Sequence, residues 1–295
     1  MCIRDRSRFL AIGERLRQLR EDSGLTADAV SAAARISRAL LYRYEAGEVV
    51  KLDVMERLAE LYGTSLAALL GLGNQYFTHG LLMFDHLLRL EEQATQLTIV
   101  FGPQAYVLSS DAYDESLMAR LVDHRNDQMA LSELEAQRLI HLLKRRKEAF
   151  KTHRTSLVNI IPVEDIERYL AFGLGGHAKL PAAQRARRRQ AARVEVERLA
   201  QMIASPPMGV QIGLTTEQLP TAGFELVNIG PRSLLVLSPF RVVEPINIHY
   251  GVATVTEDEQ ALRLHQGLAD RLWANSLRGH VAFVEIQRLL REAAG

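Results

Sequence analysis

The sequence is short of cysteine, aromatic residues and long apolar runs, and each shortage removes a class of answer. Cys2 is the single cysteine, so no internal disulfide can form and a thiolate zinc site is excluded. No apolar run approaches the ~18–20 residues that a membrane span needs, and nothing near the start has the apolar core of a secretory signal. A net charge of +1 leaves no overall excess of either sign. What is present is ordinary for a globular chain: 47% hydrophobic and 24% charged residues over 295 positions, enough for two domains or one large and one small. A cytoplasmic location without a membrane partner is the expectation.

The charge that cancels overall is segregated along the chain. Residues 74–136 hold 3 Lys+Arg against 10 Asp+Glu, and residues 137–198 hold 15 against 6. Such a basic middle invites a phosphate partner, although the acidic segment before it could satisfy it within the fold. The opening "MCIRDR" has no helical periodicity and reads as a translated sequencing adapter, so residues 1–6 are expected to be an artefact and Cys2 to carry no function.

Residues 9–70 read as five short helices. Ile12, Leu16 and Leu19 repeat at helical spacing before Gly24, Thr26 caps "TADAVSAAA", and Ser37 caps "SRALLYRYEAG". Leu52, Met55, Leu58, Ala59 and Tyr62 form the stripe of a fourth helix, and Ser65 caps the short "SLAALLG". Each is too short to be stable alone, so they must share one core. The second and third helices flank the three-residue turn Ala34-Arg35-Ile36, a helix-turn-helix arrangement.

The run "LREDSGLTADAVSAAARISRALLYRYEAGEVVKLDVMERLAELYGTSLAALL" resembles the Cro and phage-repressor class of DNA-binding domains, also called the xenobiotic-response-element (XRE) family. The resemblance implies that the second helix of the pair, residues 37–46, lies in the major groove of double-stranded DNA with its N-terminal residues at base edges. On that reading Ile36, Leu41 and Tyr44 face the core, and Arg38, Ala39, Leu40 and Arg43 face outward. Arginine suits the N7 and O6 acceptors of guanine, Ala39 and Leu40 the thymine methyl, and Ser37 and Tyr42 the phosphate oxygens. Two positions depart from the family pattern: Arg35 stands where glycine is usual, which carries a cost if the turn needs positive φ, and Ala27 stands where a DNA-contacting glutamine is common. Residues 7–73 carry 9 Lys+Arg and 9 Asp+Glu, too neutral for tight binding as a monomer, so a homodimer is expected.

The "GLGNQ" stretch at residues 71–75 marks the expected boundary between residues 7–73 and a larger domain over 76–295. There "TIVFG", "YVLSS", "SLVNIIP", "GVQIGL", "FELVNIG" and "SLLVLS" read as strands separated by helical stretches. The fold class is therefore α + α/β: a five-helix bundle, then a larger mixed α/β domain. Its element order is similar to the regulatory domain of antitoxin-like regulators of the same class. That likeness implies a sensing, dimerising or partner-binding role, with a small-molecule effector or a protein partner. An autoregulating antitoxin and an enzyme with a DNA-binding appendage remain alternatives.

Chemistry-bearing motifs are sparse, so no catalytic residue, metal ligand or cofactor is expected. "HAKLPAAQ" lacks the acid of an H-x-K-x₄-D phosphoryl-transfer motif, with Gln184 in its place, and "GLGG" at 173–176 reads as a loop. The histidines are scattered without ligand spacing, Glu91 and Glu92 read as a solvated helix face, and "RARRRQAAR" as a phosphate contact or a packed helix.

Overall fold

The computed structural model describes residues 3–48, 51–70, 74–122, 131–174, 180–217, 219, 223–243 and 246–293. Two compact units divide the chain: residues 1–75 with 256–258, and residues 76–255 with 259–295. The boundary stretch 71–73, the "HAK" of 177–179 and Gly175 and Gly176 of the "GLGG" motif lie outside the described residues.

The smaller unit is the expected bundle: α1 (Ile3–Asp22), α2 (Ala27–Ala34), α3 (Arg38–Glu45), α4 (Leu52–Leu61) and α5 (Leu66–Leu69). Leu16, Val30, Ala34, Leu41, Met55 and Leu58 form its core. Residues 3–6 are wound into α1 although they show no periodicity, because an established helix extends cheaply through good helix formers.

The larger unit is built on an eight-stranded sheet in the order β1-β7-β6-β5-β2-β3-β4-β8. In chain order the elements are β1 (Gln75–Phe77), α6 (Gly80–Glu91), β2 (Gln96–Val100), α7 (Asp111–Leu121), α8 (Glu133–His153), β3 (Ser156–Pro162), α9 (Val163–Phe172), α10 (Ala182–Ala204) and β4 (Val210–Thr215). They continue with β5 (Phe224–Ile229), β6 (Arg232–Leu237), β7 (Ala253–Thr256), α11 (Glu259–Asn275), β8 (Leu277–Arg278) and α12 (Gly279–Glu292). β2, β3 and β4 run parallel, joined by helical crossovers, and the β5–β6 hairpin adds antiparallel to β2. Helices α6 to α10 and α12 cover one face, and Ala269 and Leu272 of α11 cover the other. With both faces buried, the central strands read as nearly continuous apolar runs.

The structure corrects one strand: "YVLSS" is a 3₁₀ turn over Tyr106–Leu108, not a strand. Its apolar side chains are all buried, and the Ser110 hydroxyl accepts from the Tyr113 N–H at 3.1 Å to start α7, which leaves no length for a ladder. The edge strands β1, β7 and β8 span three, four and two residues, too short for a periodic signal.

The acidic segment does satisfy part of the basic middle. Arg146 of α8 is paired with Glu91 of α6 through two hydrogen bonds of 2.8 and 2.5 Å, and Lys147 with Asp114 at 2.8 Å. Glu91 is only 1% exposed, which corrects its reading as a solvated residue. It continues the stripe Met83, Phe84, Leu87, Leu88 along α6. In the "RARRRQAAR" stretch, Arg189 and Arg193 donate to the carbonyls of Ala293 and Leu290 at 3.1 and 2.9 Å, closing the C-terminal turn of α12. His79 caps α6: its Nδ1 accepts from the Leu81 N–H at 3.2 Å. No helix among the described residues is long and apolar enough to cross a membrane.

Candidate nucleic-acid interface

α2 and α3 are each started by a hydroxyl. Thr26 accepts from the Ala29 N–H and Ser37 from the Leu40 N–H, both at 3.2 Å, so the first turn of each helix has a partner for one orphan donor. Between them Arg35 sits in the left-handed region at φ 55° and ψ 45°. Its own N–H reaches the Ala32 carbonyl at 3.2 Å, and the Ile36 N–H reaches Ser31 at 3.0 Å, which closes α2. The positive φ that glycine would accommodate is thus present, held by a residue with a Cβ. Replacing Arg35 with glycine removes a left-handed penalty of about 1–2 kcal/mol, less the entropy that glycine adds to the unfolded chain. Arg35→Gly should therefore raise hydrogen-exchange protection of the α2 and α4 amides. Unchanged or reduced protection would show the turn to be unstrained.

Three contacts fix how α3 is presented. Gly13 of α1 lets the helix ends touch: a Cβ there would lie 2.6 Å from the Glu45 carbonyl and 2.6 Å from the Gly47 nitrogen. Arg20 of α1 grips Glu45 with two hydrogen bonds of 2.7 and 3.0 Å. Arg57 of α4 donates to the Ala34 carbonyl at 2.9 Å, capping α2 from the opposite side. The burial that follows puts Leu41 and Tyr44 in the core and leaves Arg38, Ala39, Tyr42 and Arg43 exposed, with the Ser37 hydroxyl at the helix start.

Leu40 departs from the outward set. It is half-buried and packs against the core together with Ile36. One turn separates the two, so position 40 lies on the flank of the buried stripe rather than at the crest of the exposed face. Ala27 is also turned inward, 9% exposed, which leaves Asp28 as the side chain displayed at the start of α2.

The outward arginines are held by acids. Arg38 lies 3.2 Å from Asp28, and Arg43 lies 2.5 Å from Glu48, with side chains 57% and 62% exposed respectively. A hydrogen bond with Tyr42, and then the Asp28 charge, raise the Arg38 pKa above its ordinary value. Glu48 does the same for Arg43, whose guanidinium in turn lowers the Glu48 pKa. Exposed pairs of this kind are screened by solvent and contribute little, so neither acid locks its arginine in place.

Two capped helices, a tight turn and an exposed basic-aromatic face are the geometry of a helix that reads DNA. Residues 11–70 match the family model of a helix-turn-helix domain. The match coincides with α1 to α5 and supports a DNA-binding regulator. No curated protein matches the chain.

Sequence reasoning missed the polar residues buried inside the larger unit: Glu91, Arg146, Lys147, Asp114 and Glu225, each at most 5% exposed. The signal was available for α8, where Arg146 and Lys147 extend the stripe Ala136, Leu139, Leu143. Among the described residues, no three His, Cys, Asp or Glu side chains gather as metal ligands would.

Proposed function

We propose that the chain is a sequence-specific, XRE-type transcriptional regulator that lays α3 in the major groove of double-stranded DNA as a homodimer. The observation that carries this is the exposed face Arg38, Ala39, Tyr42 and Arg43 on a helix capped by Ser37 within a helix-turn-helix domain. Arg38 and Arg43 read base edges beside Ala39, Ser37 and Tyr42 hold phosphate, and Leu40 touches DNA only at its exposed edge. A head of residues 7–73 with 9 basic and 9 acidic side chains gains little from counterion release alone, so two heads on half-sites about 10 base pairs apart supply the affinity. The larger unit provides the pairing surface and a sensing module that binds without turnover. Its support is that several buried charges are already tied in ion pairs within the fold.

The test is selection of operators from random DNA by the full chain, followed by titrations with Arg38→Ala and Arg43→Ala. Each variant should lose about 1–3 kcal/mol and relax one operator position. Unchanged affinity and unchanged preference in both would remove α3 as the reading element. A monomer by light scattering at DNA-saturating concentration would remove the dimer.

A further inference from the structure

The larger unit contains a cavity of about 50 Å³, open to solvent at its mouth, between α6, α8 and the inward faces of β2, β5 and β6. Phe84, Leu87, Phe101, Tyr106 and Val236 give it apolar, largely aromatic walls. Besides Tyr106, one acid and two basic groups line it, and their surroundings differ. Arg146 is committed to Glu91, with its guanidinium 5.7 Å from the Phe84 ring centre. Glu225 is buried, and its Oε1 has no hydrogen-bond partner. Arg241 is half-buried over the Phe101 ring at 5.6 Å, and it forms no ion pair with any carboxylate among the described residues.

A desolvated guanidinium without a carboxylate and a buried carboxyl without a partner both cost free energy unless a ligand completes them. Burial lowers the pKa of Arg241 and raises that of Glu225 to about 8. Burial thus favours the protonated form of Glu225, a hydrogen-bond donor, and of the basic groups lining the cavity Arg241 is the one without an ion pair, Asp165 acting on it only through space. An amine would meet that cation unfavourably, whereas an anion would pair with it.

We propose that this cavity binds a small organic acid with a compact aromatic or branched apolar body. Arg241 takes the carboxylate in a forked contact, the body lies against Phe84, Phe101 and Val236, and Glu225 donates to a second ligand oxygen. The site gives the sensing module its ligand class. Only the consequence for DNA rests on the regulatory reading; binding itself does not.

Calorimetric titrations of the full chain test it with benzoate, phenylacetate and 3-methylbutanoate, against benzamide and benzylamine. At least one acid should bind saturably below ~10 mM, and the matching amide and amine at least about tenfold more weakly. Arg241→Gln should weaken the acid by about 10–100-fold, the scale of a lost charged hydrogen bond. Arg241→Lys should fall between, and Arg263→Gln on the exposed face of α11 should match the wild type. If Arg241→Gln unfolds, Arg241→Lys decides, because it keeps the charge and loses the fork. No saturable acid binding, an amide or amine bound as tightly, or acid affinity unmoved by the decisive Arg241 variant would each overturn the proposal. Operator titrations with and without the bound acid form a separate arm. An acid that binds through Arg241 but leaves operator affinity unchanged keeps the site and defeats the sensing role.

Discussion

Glu91→Ala should destabilise the larger unit by about 3–5 kcal/mol, because it leaves Arg146 charged and buried with its main partner gone. The pair is 1% and 6% exposed at the side chains, and two hydrogen bonds join them. Their mutual attraction offsets a desolvation cost of several kcal/mol per ion, so deleting one partner exposes the cost of the other. The reverse comparison separates this from a simple cavity. Glu91→Leu combined with Arg146→Met removes both charges while keeping volume, and should recover most of the loss. Trp273, the only tryptophan, lies in α11 of the same unit, so its fluorescence during denaturant unfolding reports the unit directly. A loss below about 1 kcal/mol in Glu91→Ala, or a double variant no better than the single, would mean that the pair is solvated in solution.

The contrast between the two units shows what periodicity can and cannot tell. In the smaller unit local chemistry and fold agree. A cap hydroxyl three residues before its N–H, a stripe at Leu41 and Tyr44, and glycine near helix ends all fix α2 and α3. The strained Arg35 was legible too, as a side chain where the turn needs a left-handed residue. Leu40 was misjudged because a half-buried flank and an exposed crest differ by a few tens of degrees around the helix, finer than a residue pattern resolves. In the larger unit "SLVNIIP" coincides with β3, and "FELVNIG" with "SLLVLS" forms the β5–β6 hairpin. The polar centre was hidden because charge was read as a mark of the surface. Glu225 sits in a strand whose two faces are both covered, so alternation gave no warning, and its neighbours Ile99 and Val236 come from distant parts of the chain. The cavity accordingly opens beside β2 and β5, not at the ends of β3 and β4 where a parallel sheet alone would have placed it.

Glu225 also sets the largest expected dependence of stability on pH. Burial first, and then the Glu91 charge, raise its pKa from near 4.5 to about 8, while Arg146 pulls the other way. In the unfolded chain the carboxyl ionises near 4.5, so between that pH and 8 the folded state holds a proton that the unfolded state has released. The stability linked to Glu225 is thus fully present below pH 4.5, declines as pH rises, and is gone once pH passes about 8. A shift of this size corresponds to a loss on the order of 5 kcal/mol, at 1.36 kcal/mol per unit. Glu225→Gln is uncharged throughout, so it should match the wild type near pH 4 and exceed its stability above pH 8. The two carboxylates share Arg146, so the variants should not act independently. Removing Glu91 takes away a charge that raises the Glu225 pKa and leaves Arg146, which lowers it. In Glu91→Gln, Glu225 should then ionise at a lower pH and take over part of the neutralisation of Arg146. The cost of Glu91→Gln should accordingly shrink as pH rises from 5 to 8, and this relief should vanish in the double variant with Glu225→Gln. Parallel stability–pH profiles for wild type and Glu225→Gln, read by Trp273 fluorescence, would show instead that the carboxyl is already ionised at neutral pH and that Arg146 serves both acids at once.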